Sequence, residues 1–176
     1  MPLLLERNRD NKSKQVITKL VTNAAKNTPG EEAWGNHHVN CYAWAANCEE
    51  PHRGKPDPGS YSGYDAGLDN ARLIEGAKRD GMAYVANAPA NDPPPFTKGY
   101  YCVALYKSTT DHHWYRRDPE TGYWTHKPGA HGVKNYGPGF VILPKRLETA
   151  NHNYGMAATN YRFVGYFYVP EEGIQV

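Results

Sequence analysis

The chain has 176 residues, with 20 Lys and Arg, 18 Asp and Glu, and a formal net charge of +2. This length suits a single domain, 1–176, that can bury a core without disulfides or metal. The small charge argues against nucleic acid or an anionic membrane as a partner. Three cysteines without a CxxC pair indicate neither a disulfide framework nor a structural zinc site, and we expect no cofactor.

Residues 1–12 are expected to form a loose arm. Leu3, Leu4 and Leu5 are followed at once by charged residues, which is far short of a secretory signal or a membrane span. The sequence therefore does not identify the cellular compartment, and it leaves open export by a dedicated secretion system. Ser13 can cap an amphipathic packing helix with apolar positions from Val16 to Ala25.

The segment 36–48 contains the candidate nucleophile. Asn40 is a good N-cap type, so Cys41 is expected in the first turn of a buried helix. Backbone N–H groups at a helix start favour a thiolate and can stabilise an oxyanion. Cys41 can equally be a small buried hydrophobe, as we expect of Cys48 and Cys102.

The middle of the chain alternates loops with short elements. The breaker-rich stretch 49–64 predicts a long loop, of the kind that often forms a functional wall or lid. Asp65 is expected to cap a helix that runs to Arg79 or Asp80 and ends at Gly81. A short strand at 82–85 and a second loop, 86–99, follow.

The last third of the chain predicts an antiparallel sheet. Strands are expected at 100–106, 112–118, 123–127, 140–143 and 161–169, with a loop at 151–159. Helices first and strands last indicate an α+β fold. The four residues 119–122 fit a hairpin loop around a type I turn.

This hairpin predicts a histidine pair. With 119–122 as the loop, Tyr115 faces His126, and His113 is the diagonal neighbour of His126 on the same face. His113 is then a base for Cys41 and His126 the group that orients it, whereas His112 faces the other side. These histidines can also be half-buried sheet residues, or ligands of zinc or copper.

The motifs resemble the papain-like NlpC-type cysteine hydrolases. The similarity runs from about Asn36 to Asn135 and includes the Asn-Cys-Tyr-Ala-Trp-Ala stretch beginning at Asn40 and the segments that contain His113 and His126. It resembles in particular a bacterial subgroup that includes toxin-associated domains. The resemblance implies a papain-like fold, with N-terminal helices packed on a C-terminal antiparallel sheet. It also implies Cys41 as nucleophile, His113 as base and His126 as third residue.

We therefore expect a cysteine peptidase or amidase that cleaves amide bonds through an acyl-enzyme intermediate. Candidate substrates are cell-wall peptides and effector targets, and an immunity protein is a possible partner. Asn-Cys-Tyr replaces the Asp-Cys-(Ser/Gly) of typical cell-wall endopeptidases, so a deamidase or an acyltransferase is an alternative. A further alternative is a non-catalytic module that binds glycan or protein. The expected cleft-wall aromatics are Tyr42, Trp44, Tyr61, Tyr64 and Trp114.

Overall fold

The computed structural model describes Trp34 and residues 39–129, 131–141, 143–154 and 160–176. The described helices are α1 (Cys41–Ala46) and α2 (Asn70–Arg79), with 3₁₀ turns at Pro138–Phe140 and Leu147–Thr149. The strands are β1 (Ala83–Val85), β2 (Tyr100–Lys107), β3 (His112–Arg117), β4 (Trp124–His126) and β5 (Arg162–Pro170).

The five strands form one antiparallel sheet in the order β1-β5-β2-β3-β4. Because side chains alternate along a strand, the sheet separates two buried clusters. The helix face packs against α1 and carries Leu105, Trp114 and Phe167. The tyrosine face carries Tyr106, Tyr115 and Tyr166 on the other side. The predicted α+β class with an antiparallel sheet is confirmed.

A buried arginine holds α1 on β3. The guanidinium of Arg116 lies 3.5 Å from the ring centre of Trp44 and 4.6 Å from that of Tyr101. Its Nη1 donates to Asn47 Oδ1 at 2.8 Å, just beyond the helix. Burial lowers the pKa of Arg116 to about 10. These stacked contacts determine which side of α1 faces the sheet. They therefore also determine the direction in which its first turn points.

The predicted start of the second helix is wrong. The second helix begins at Asn70, capped by Asp69, and not at Asp65. Asp65 instead accepts from the N–H of Gly67, whose φ of 54° is incompatible with a continuing helix. The helix end at Arg79 is confirmed, and Gly81 follows with φ of 110°.

The strand expected at 140–143 is also wrong, because Pro138–Phe140 forms a 3₁₀ turn in which Gly139 has φ of 74°. The predicted arm 1–12 and the helix capped by Ser13 lie outside the described residues. In the described part of the chain, no helix has the length and apolar character needed to span a membrane.

Candidate active site

Cys41 opens α1 as the sequence predicts. The Oδ1 atom of Asn40 accepts the backbone N–H groups of Tyr42 and Ala43 at 3.1 and 3.0 Å, which confirms the N-cap. The backbone N–H of Cys41 has no hydrogen-bond acceptor among the described residues. Cys41 is 7% exposed, and its Sγ lies 4.0 Å from the carbonyl oxygen of His112.

Cys41 contacts His112 through the backbone carbonyl of that histidine. The Nε2 of His112 lies 3.1 Å from Asp57 Oδ1, in the loop between the two helices. Burial on its own lowers the pKa of His112, but hydrogen bonds to Asp57 and then to Cys41 raise it overall, to about 10. The structure thus bonds the imidazole of His112 to Trp114 and to the carboxylate of Asp57, with the Cys41 thiol against the backbone carbonyl of the same histidine.

The hydrogen bonds of His112 fix its tautomer. A carboxylate only accepts, so Nε2 of His112 carries the proton that faces Asp57. The indole Nε1–H of Trp114 donates to Nδ1 at 3.2 Å, so Nδ1 carries no proton in the neutral ring. Nδ1 is therefore the nitrogen that can accept the proton of Cys41, in competition with Trp114.

The predicted pairing of His113 with His126 is confirmed. Tyr115 pairs with His126 across β3 and β4, and the His113 Nε2 to His126 Nδ1 distance is 2.7 Å. His126 Nε2 lies 2.8 Å from the carbonyl oxygen of Tyr136, so that nitrogen carries a proton. By the same reasoning His113 donates from Nε2 to His126, and its own Nδ1 is unprotonated.

The His113–His126 pair lies on the tyrosine face, away from α1. The ring of His113 is 4.9 Å from that of Tyr115 and 5.0 Å from that of Tyr154. Burial lowers the pKa of His113 well below its usual value and that of His126 to about 4. Both rings are therefore neutral at neutral pH.

The structure does not give Cys41 a hydrogen bond to His113 among the described residues, although the two are not remote. Burial raises the pKa of Tyr154 and of Tyr161, and the charge of Cys41 adds to both shifts. These two tyrosines flank the ring of His113. The direct contacts of Cys41 nevertheless lead to His112, so the roles predicted for His113 and His126 have no contact with the sulfur to support them.

Three of the aromatic residues expected to wall a cleft are interior side chains. Tyr42, Trp44 and Trp114 are fully buried. Tyr42 donates to Asp80 Oδ2 at 2.7 Å, and Trp114 packs on Tyr42 while it donates to His112. Their burial gives no support to the predicted role as substrate contacts.

A cavity of about 470 Å³ opens beside His112 and Asp57. Tyr64, one of the aromatics expected at the cleft, lines it, and so do Asp111 and Arg53. The long loop 49–64 thus contributes one side of the cavity. Its predicted position as a functional wall is consistent with this placement.

Asp57 is the residue that the sequence analysis missed. It lies 55 positions before His112, in a stretch without regular structure or a recognisable motif. The only available signal was the loop itself, whose length suggested a functional role.

No group of three or more His, Cys, Asp or Glu side chains among the described residues is arranged to hold a metal ion. Comparisons with protein-family models, curated proteins and solved structures find no match for this chain.

Proposed function

We propose that the protein is a cysteine hydrolase of amide bonds, with Cys41 as nucleophile, His112 as base and Asp57 as the group that orients the base. The observation that carries this proposal is that the Cys41 sulfur lies 4.0 Å from the backbone carbonyl oxygen of a histidine whose Nε2 is hydrogen-bonded to the carboxylate of Asp57. Nucleophile, base and orienting group form the arrangement that activates a weak nucleophile.

In this proposal the Cys41 proton resides on Nδ1 of His112, whose pKa is raised to about 10, and the sulfur attacks the carbonyl carbon of the amide. The backbone N–H of Cys41 is available to the developing oxyanion. The C–N bond then breaks as His112 protonates the leaving amine, which leaves a thioester on Cys41. Water attacks the thioester with His112 as base again, and releases the acid and the free thiol.

Substrate would enter through the cavity beside His112 and Asp57, which is large enough for a side chain or a short peptide segment. A peptide of the cell wall or of an effector target fits this chemistry, within the papain-like family that the motifs resemble. A deamidase would use the same steps and release ammonia. The non-catalytic module predicts a buried Cys41 with no histidine within reach of its sulfur. Cys41 is buried, but its sulfur lies against His112, and that proximity favours the enzyme.

His113 with His126 is the second candidate for the base, because it is a hydrogen-bonded histidine pair with Nδ1 of His113 unprotonated. Four variants separate the two: Cys41→Ala, His112→Ala, His113→Ala, and His131→Ala at an exposed histidine as control. The measured quantities are amine and ammonia release from cell-wall peptides and peptide amides, with folding checked by circular dichroism.

We expect Cys41→Ala and His112→Ala to lose activity to a similar extent, because nucleophile and base act as one unit. His113→Ala should retain measurable turnover, and His131→Ala should match the wild type. Loss in His113→Ala with activity kept in His112→Ala would instead assign the base to His113. Activity that survives Cys41→Ala would exclude the cysteine mechanism altogether.

A further inference from the structure

We propose that Asn40 is a positioning residue that joins the nucleophile helix to the loop that carries Asp57. Its two side-chain atoms contact two different parts of the site. Oδ1 caps α1 directly before Cys41, and Nδ2 donates to the carbonyl oxygen of Pro56 at 2.8 Å, directly before Asp57. This inference rests on the proposed function, since it gives Asn40 a role in aligning the same three groups.

Asp57 needs such support, because its own side chain is 72% exposed and lies in a loop. A flexible carboxylate would spend part of its time away from His112, and its attraction would then be screened by water and salt. The backbone around it is buried, however, at Pro56, Pro58 and Gly59. The loop is therefore anchored through its main chain and leaves the carboxylate free to face His112.

A second anchor lies on the other side of Asp57. The N–H of Gly59 donates to Asp80 Oδ2 at 2.6 Å, and the same oxygen accepts the hydroxyl of Tyr42 at 2.7 Å. Tyr42 follows Cys41 in α1. The loop is thus tied to α1 before Asp57 by Asn40 and after it by Asp80, so the helix and the orienting carboxylate are located relative to each other.

The two functions of Asn40 can be separated by one substitution. Asn40→Ser keeps an uncharged N-cap acceptor of similar strength but has no donor that reaches Pro56. Asn40→Ala removes both functions, and should lower the urea midpoint because the cap is lost. Asp69→Ser makes a comparable change at the cap of α2, where Asp69 Oδ1 accepts the N–H of Arg72, and serves as the matched control.

We expect Asn40→Ser to lower the urea midpoint less than Asn40→Ala does, since only the bond to Pro56 is lost, and to lose kcat with little change in KM. A displacement of about 1 Å in such a constellation can cost about 100-fold in rate. Amide hydrogen exchange at Gly59 and Ser60 should become faster in Asn40→Ser and stay unchanged in Asp69→Ser. Wild-type kcat together with wild-type exchange in Asn40→Ser would overturn the inference, as would a loss of kcat that only parallels a loss of stability.

The exchange measurement also separates this inference from the proposed function. If the wild-type protein shows no hydrolysis and Cys41 is no more reactive than Cys48, the proposed function fails. Faster exchange at Gly59 and Ser60 in Asn40→Ser would still support the anchoring role, whereas unchanged exchange would refute it.

Discussion

Cys41 and Cys48 are equally exposed, at 7% each, yet they have different neighbours. Cys41 contacts His112, whereas Cys48 accepts a long hydrogen bond from Gln175 Nε2 at 3.6 Å. We expect iodoacetamide to label Cys41 faster than Cys48 at about pH 6, below the usual pKa of a free thiol, because Cys41 lies beside His112, whose raised pKa keeps it cationic at that pH. Mass spectrometry of the peptides measures the ratio.

Two internal comparisons make this labelling decisive. Cys102 is 1% exposed, and burial raises its pKa to about 12, so it should react more slowly than both other cysteines. In His112→Ala, Cys41 should fall to the rate of Cys48. Equal rates for Cys41 and Cys48 in the wild type would mean that Cys41 is not activated.

At the scale of elements, α2 and the Asp57 loop are in direct contact at Gly76. A Cβ added at this position would overlap the carbonyl of Pro58. Alanine is a better helix former than glycine by about 1 kcal/mol. The overlap is with the backbone of the loop, however, which cannot move aside as the end of a flexible side chain can. We expect Gly76→Ala to lower the free energy of unfolding by about 1–3 kcal/mol, and to reduce activity because the loop shifts Asp57.

Gly132→Ala is the matched control, since its added Cβ would meet no atom of the described residues within 4 Å. Urea unfolding should place it within about 0.5 kcal/mol of the wild type, with unchanged turnover. If Gly76→Ala were as stable and as active as Gly132→Ala, the packing of α2 would not be what places the loop.

For the whole molecule, the buried histidines predict a stability maximum near pH 6.5. His126 has its pKa lowered to about 4, so the unfolded chain binds more protons than the folded one between pH 6.5 and pH 4. Stability therefore falls as the pH falls through that window, by up to about 3 kcal/mol from His126 alone. His113 and His152, whose pKa values burial also lowers, act in the same direction.

His112 has the opposite effect. Its pKa is raised to about 10, so the folded protein holds a proton that the unfolded chain has lost above pH 6.5. The stabilisation from this group is complete below pH 6.5 and is lost as the pH rises towards 10. Urea unfolding across pH 4–10 measures the loss of stability on the acid side and on the alkaline side of pH 6.5. We expect His126→Gln to reduce the loss on the acid side and His112→Gln the loss on the alkaline side. A variant that leaves the loss on its side unchanged would contradict that assignment.

Local rules were enough for several features of this chain. The Asn40 cap, the start of α1 at Cys41 and the register of the β3–β4 hairpin depend on neighbouring residues and on a loop of four residues. The contact between His113 and His126 followed from that register and from side-chain alternation. Local rules were wrong at the start of α2, where the positive φ of Gly67 interrupts the predicted helix.

Side-chain alternation on β3 determined that His112 and His113 face opposite sides of the sheet, but not which side meets Cys41. That choice depends on where α1 packs, and only the burial of Trp44 against Arg116 and of Tyr42 against Trp114 decides it. Asp57 was likewise beyond sequence reasoning, because Asn40 and Asp80 position its loop through contacts between residues that are distant in the chain. The sequence by itself determined the nucleophile helix and the histidine pair. Only the tertiary structure placed His112 against Cys41 and Asp57 against His112, since helix packing and loop anchoring are set by long-range burial and hydrogen bonds.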